Sequence, residues 1–371
     1  MEVTGCEEVG CVAVCRQESE VDEMTTRGKL TGSMRLLAVA MPLALVLGAC
    51  ALTGSSASPS AAAAAKVKLV PDWTSAWVGW VPWVGAEKKG WFDEAGIDME
   101  IVLPPGGSDP PRLVSTGAGD LAVSIGGDLL FAASQGLEST AVASLADRIP
   151  EGIACWADEV TKPEDLYGKT VAIYNFPSAQ LYWKFFTEHH KLDTSKIEVV
   201  DEGNDGVPLI LSGTVDCIDA AASGELVSME LESGRKATYF IYDDSNGVPK
   251  IQNSILSANK DFLAKNPDVV KAWIGVWFRA VDYMLENEQN LQEFVDAYIE
   301  AYPENEEEPT KTGIQQMVKY AYPPYYPDQP QGWISPEGWT ALHDILVDTK
   351  QIEAAIEDPT HLISNDHLPS Q

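Results

Sequence analysis

The chain has 371 residues, 25 Lys and Arg against 56 Asp and Glu, and a formal net charge of −31; an acid excess of this size repels a phosphate backbone and excludes nucleic acid as a partner. With 45% hydrophobic residues the chain is too apolar to remain disordered. Its six cysteines, with no CxxC among them, are too scattered for a disulfide framework or a four-ligand zinc site.

Residues 34–50, MRLLAVAMPLALVLGAC, place Arg35 before a short apolar run and a small-residue exit, the layout of a secretory signal peptide. The run is too short for a membrane span. It closes on Leu47-Gly48-Ala49-Cys50, which resembles the bacterial lipobox and marks Cys50 as the expected lipidation site. The Ser/Ala-rich stretch over 50–65 then reads as a flexible tether. A plain cleaved signal with Cys50 as a bystander is the alternative, and both readings export the protein. Residues 1–23 carry seven acids and one Arg where a leader should be basic, so Met24 or Met34 is the expected start. Seven acids and four bases fall within 1–49, which leaves a charge of −28 for the remainder.

From Lys66 the hydrophobic periodicity alternates. Strands are expected at 66–70, 99–104, 121–126 and 139–145, with helices at 83–95, 111–117 and 129–136 between them. A second set gives strands at 170–174, 197–203, 215–221 and 237–242 and helices at 179–190 and 207–213. The rest is mostly helical, over 261–265, 267–286, 291–302, 312–322 and 336–350; Pro267 and Pro336 each occupy a first helical turn. Strands alternating with helices at this spacing imply parallel βαβ units. The expected fold is therefore α/β with two lobes, each a mainly parallel sheet flanked by helices: 66–155 begins the first lobe, 156–250 forms the second, and 251–371 returns to the first. Strands at 139–145 and 251–257 bracket the second lobe, so two crossing segments form a hinge. A ligand would lie between the lobes, outside the carboxyl ends of the strands.

Trp73, Trp77, Trp80 and Trp83 fall within eleven residues just after the first strand. Indole faces stack on planar rings or hold cations; alternatively Trp77, Trp80 and Trp83, three apart, line one buried helical face. Asn175 and Ser178 lie between a strand and a helix start, where free N–H groups attract anionic or carbonyl groups, although Ser178 also suits an N-cap. Asp128, after Gly126-Gly127, either faces the cleft or caps the next helix. Arg112 and Arg148 are among the few cations of the first lobe, and Arg112 is expected to pair with a nearby acid. His189 and His190 read as partners of a helix C-terminus. Cys155 and Cys217 could pair in an oxidising compartment, but each sits in an apolar stretch and is read as a small packed hydrophobe. Residues 305–309, NEEEP, read as a solvated loop.

The order DWT, an aromatic stretch, then AEKKGWFDEAGIDMEI resembles bacterial solute-binding proteins of the thiamine-pyrimidine-precursor, nitrate, sulfonate and taurine type, which feed ABC transporters. STGAGDLAVS, LYGKTVAI, GTVDCIDAAASGE, GWISPEGWTALHDIL and LISNDHLP continue the resemblance in the family's order over most of the body. The resemblance implies a type II periplasmic-binding-protein fold, and it implies that Glu225 accepts hydrogen bonds from a ligand amine, with a solvated helix start as the alternative reading of that residue. The pyrimidine-precursor branch usually carries His after DWT; here SAWVGW stands in its place, so Trp77 or Trp80 takes that neighbourhood. A pyrimidine synthase that resembles these proteins works through His, Lys and a Cys cluster with pyridoxal phosphate, a constellation not visible in this sequence.

These readings converge on a monomeric, lipid-anchored extracytoplasmic protein, not an enzyme, that passes a small, planar, pyrimidine-like heteroaromatic solute to an ABC permease. Trp73, Trp77, Trp80, Asp128, Asn175, Ser178 and Glu225 are its expected ligand-binding residues, and neither cofactor nor metal is expected. The alternatives are a binding protein for a sulfonate- or nitrate-type anion and a synthase-like enzyme on the same fold.

Overall fold

The computed structural model describes residues 64–146, 150–175, 177–203, 205–248, 254–322, 326 and 328–369. The expected leader, Cys50, most of the tether, Arg148 and residues 251–253 lie outside the described residues.

Strands β1 (Ala65–Val70), β2 (Ile97–Ile101), β3 (Leu121–Ile125) and β4 (Thr140–Ala146) alternate with helices α1 (Val81–Lys88), α2 (Trp91–Glu94), α3 (Pro110–Ser115) and α4 (Gly126–Ser134). The helix expected over 83–95 is divided, because Gly90 adopts a φ of 74° between α1 and α2, a conformation costly for any residue with a Cβ. Then follow β5 (Glu151–Trp156), β6 (Thr170–Ile173), α5 (Pro177–His189), β7 (Glu198–Asp201), α6 (Gly206–Leu211), β8 (Cys217–Ala221), α7 (Glu225–Ser233) and β9 (Ala237–Ile241). The chain returns as β10 (Ser254–Ala258) and closes with α8 (Lys260–Lys265), α9 (Pro267–Glu286), α10 (Glu288–Ala301), α11 (Glu307–Tyr320) and α12 (Pro336–Asp348).

Two sheets result, ordered β2-β1-β3-β10-β4 and β7-β6-β8-β5-β9. β1 pairs parallel with β2 and β3, and β6 with β7 and β8. β10 and β5 run antiparallel to both their neighbours. Each follows a crossing between the sheets, and that is why the odd strand of each sheet is the one that enters from the other side. The second sheet thus begins at Glu151, ahead of the expected boundary at 155: a short apolar run after Pro150 gives no periodicity to separate it from the preceding strand.

Helix α9 buries Val270, Trp273, Ile274, Trp277, Val281 and Met284, a stripe at helical spacing, against Val67, Leu121, Val123 and Leu256 of the first sheet. A second core joins Ile153, Val171 and Ile173 to α5 through Tyr182 and Phe186, and draws in Leu129 and Leu130 of α4 and Trp339 and Leu342 of α12. It contains Ala141 and Ile255 as well, so the two sheets share packed side chains.

Cys155 and Cys217 form a disulfide, which corrects the reading of two packed thiols. They are facing partners on antiparallel β5 and β8, with Cα atoms 4.4 Å apart, so their side chains leave the sheet on the same face. Residues 307–309, read as loop, are instead the first turn of α11, where Glu307 and Glu308 meet the positive end of the helix.

Candidate functional site

A cavity of about 300 Å³ opens where the carboxyl ends of the parallel strands of both sheets converge. From the first sheet come Asp72 and Trp73 after β1, Ser124 and Ile125 at the end of β3, Asp128 in the first turn of α4, and Ala146. From the second come Tyr174 after β6 and Ala221 to Glu225 after β8, except Ala222. Glu151 and Ser254 begin the two antiparallel strands, Pro150 precedes the first of them, and Asn305, Pro309, Thr310 and Met317 cover the cavity from α11 and the segment before it. Its size is at the lower end for small-molecule sites, suited to a single ring system.

The aromatic wall divides into two parts. Trp80 and Trp83 are each 2% exposed and pack in the first core with centroids 5.1 Å apart and ring planes inclined at 44°, showing the cavity little of their surface. Trp73 and Trp77 are half-buried and line the cavity. Trp77 is extended (φ −141°, ψ 169°) and precedes a 3-10 turn, so it does not share the helical face expected for the three indoles. Both flat walls rest on glycine: a Cβ at Gly79 would fall 2.3 Å from the Trp77 ring, and one at Gly107 2.8 Å from Trp73. Trp73 also meets Tyr174 edge-on at 6.2 Å.

Asp72 holds these indoles in place. Its Oδ1 accepts the Nε1–H of Trp77 at 2.9 Å and of Trp80 at 3.2 Å, so neither indole N–H is available to a ligand. Burial raises the Asp72 carboxyl above its usual range, and the two indole hydrogen bonds partly oppose the rise. Glu225 accepts from the Tyr174 hydroxyl and from the Ala221 N–H, each at 3.0 Å, which fixes it on the cavity edge.

Asp128 is 3% exposed, and burial pushes its carboxyl up to about 7. Burial pushes Glu151 up to about 8, and the charges of Glu225, Asp128 and Asp72 add to the rise. Among the residues lining the cavity, Ser124, Asp128, Ser223 and Tyr322 each carry a buried oxygen (Oγ, Oδ1, Oγ and Oη) without a hydrogen-bond partner in the protein. Behind the wall, burial pushes Glu202 up to about 10 and Asp219 well above the carboxylate range. No group of three or more His, Cys, Asp or Glu able to hold a metal occurs among the described residues.

Of the expected site residues, Trp73, Trp77, Trp80, Asp128 and Glu225 come together at the cavity. Asn175 and Ser178 stand apart from it. Asn175 is exposed, while Ser178 is 1% exposed with its Oγ unpartnered, packed near Gly127 of α4 where the two lobes meet. Arg112 pairs with Asp109 at 2.7 Å. Sequence reasoning missed Asp72, Glu151 and Tyr174. Asp72 was legible as the first letter of DWT, and Tyr174 as the residue ending its strand, but nothing local marks Glu151, which reaches the site because β5 starts at the crossing.

Sheets in this order, with a cavity at the ends of their strands, define the periplasmic-binding-protein fold. The alkanesulfonate-binding protein SsuA from Xanthomonas axonopodis pv. citri, bound to MOPS, has that fold at a TM-score of 0.62 and 14% identity, over 82% of this chain and 99% of that one. The chain belongs to the NMT1/THI5 like family, which matches residues 78–291. It is 25% identical over 314 residues to the formylaminopyrimidine-binding protein of Halalkalibacterium halodurans, covering 83% of this chain and 94% of that protein. It is also 28% identical over 224 residues to the 4-amino-5-hydroxymethyl-2-methylpyrimidine phosphate synthase of Candida albicans, covering 55% of this chain and 63% of that enzyme.

Proposed function

We propose that this chain is an extracytoplasmic solute-binding protein, anchored through a lipid on Cys50, that captures a small planar heteroaromatic molecule of pyrimidine-like shape and hands it to an ABC importer. The observation that carries the reading is the cavity between the two sheets, walled by Trp73 and Trp77 and edged by buried polar atoms that the protein leaves unsatisfied. Such atoms cost free energy until a ligand or water meets them, so they set both orientation and specificity. The relative from Halalkalibacterium halodurans, which matches along nearly its whole length, supports the pyrimidine-like ligand. The disulfide supports an oxidising compartment.

Capture is favoured over turnover by the lining itself. Among the described residues around the cavity there is no lysine to form a Schiff base and no histidine to move a proton. Closure of the lobes would bury the ligand, and its differential affinity for the closed form would drive the shift that the permease reads.

Mass spectrometry of protein purified under native conditions, with and without a denaturing step, tests the reading. A heteroaromatic molecule released at one equivalent, and its re-binding to the emptied protein with quenching of tryptophan fluorescence, is the expected result. Release of an inorganic anion, or turnover of the released molecule, would overturn it. Labelling with radioactive palmitate in a bacterial host, lost in Cys50→Ser, tests the anchor.

A further inference from the structure

Resting on solute capture at this cavity, we propose that the solute is a cation: a planar nitrogen heterocycle carrying a permanent or acquired positive charge, held between the Trp73 and Trp77 walls with its charge toward Asp128 and Glu151. Asp72, Asp128, Glu151 and Glu225 all line the cavity, whereas no Lys, Arg or His does so among the described residues.

The four carboxyls have different roles. Asp72 is committed to two indoles, and Glu225 to Tyr174 and the Ala221 amide. Asp128 is different: it is 3% exposed and lines the cavity, and its Oδ1 is left without a partner. A buried carboxyl oxygen that the protein has not satisfied favours a ligand that brings countercharge: a protonated ring nitrogen brings a donor with it, and a permanent cation brings the charge alone. Ser124 and Ser223, 1% and 3% exposed and with equally unpartnered hydroxyls, belong to the lining from the two lobes and add to its polar part.

The wall adds to the preference. Two indoles and the Tyr174 ring line the cavity, and an aromatic face attracts a desolvated cation more strongly than its neutral counterpart. A sulfonate or carboxylate finds no cation among the described lining residues to balance its charge, whereas a cation favours the ionised form of the carboxyls that burial otherwise holds protonated. A relative of similar fold binds a sulfonate buffer, so the charge preference belongs to the residues placed on the fold and not to the fold itself.

The test uses ring pairs that differ only in charge: nicotinamide against its N-methylpyridinium form, and 4-methylthiazole against its N-methylthiazolium form, with nicotinate as the anion. Each is titrated by calorimetry into the emptied full-length protein at neutral pH. At least one cation is expected to bind about tenfold or more tightly than its neutral partner, with no detectable binding of nicotinate. In Asp128→Asn and in Glu151→Gln that ratio should fall toward one, with unaltered circular dichroism confirming the fold. Both neutral rings binding as tightly as their cations, or nicotinate binding as tightly as either cation, overturns the charge preference while solute capture stands. Failure of every probe also overturns it, and capture is then decided separately by the molecule that copurifies.

Discussion

Replacing Asp128 by Asn probes the buried carboxyl through stability as well as binding. Burial raises this group from 3.8 to about 7, so between those values the folded chain holds a proton that the unfolded chain has released. The native state is therefore favoured at low pH: the contribution is fully present below about 4 and is lost as pH rises through about 7. Between about pH 5 and about pH 9 the loss amounts to roughly 2–3 kcal/mol, taking about 1.4 kcal/mol per pH unit of difference. Asn has nearly the same shape and does not titrate. The Tm of Asp128→Asn minus that of the parent should therefore increase by roughly 4 °C across that range, given about 2 cal/mol/K of unfolding entropy per residue over about 300 residues. Differential scanning calorimetry of ligand-free protein at three pH values reads this directly. A constant difference across the range would show that Asp128 does not titrate as a buried, unpaired acid, and the account of the cavity's polar edge would fail with it.

Trp73→Ala and Trp77→Ala should each weaken ligand binding about tenfold by fluorescence titration with a modest loss of stability, whereas Trp80→Ala, deleting a side chain 2% exposed, should cost about 3–5 kcal/mol in a urea melt; equal stability losses in all three would refute the division of the wall. Gly79→Ala places a methyl group 2.3 Å from the Trp77 ring and should lower affinity by displacing that wall while leaving the Tm nearly unchanged. Gly313 lies on α11, where an added Cβ would meet Ser223 O at 2.3 Å, so Gly313→Val should hold the lobes apart and reduce compaction on ligand addition, as read by small-angle scattering. Reducing the disulfide, which joins residues 62 apart, should lower stability by about 4 kcal/mol in the loop-entropy description, measured by melts with and without reductant.

The parts of this fold that the sequence made legible are those governed by local signals. Helix α9 occupies the expected 267–286, because Asn266-Pro267 starts it, Asn287 caps the next helix through Asn290, and its apolar stripe is unbroken between them. The indole cluster likewise led to the cavity, since position after a first strand is a matter of order along the chain. What escaped was long-range. Whether Cys155 meets Cys217 depends on β5 lying beside β8, and neither stretch announces that neighbour. Glu151 joins the site through the same pairing. Asn175 and Ser178 followed a sound rule about helix starts, but the strand-to-helix turn at Tyr174 directs the tyrosine to the cavity and leaves the next residues on other surfaces.

The placement of β10 between β3 and β4 bears on how the molecule comes into being. All strands of the second sheet lie within one stretch, Glu151 to Ile241, so that sheet can pair as soon as this stretch is available. The first cannot: β4 ends at Ala146, and its strand neighbour begins only at Ser254. For a chain emerging amino end first, the earlier-made lobe is thus the later-finished one, waiting on a contact of large sequence separation, which is the kind that slows folding. Trp73 and Asp128 belong to that waiting half. The ability to hold a solute therefore arrives last, as a property of the completed chain, and even the second lobe gains the Trp339 and Leu342 part of its core only then.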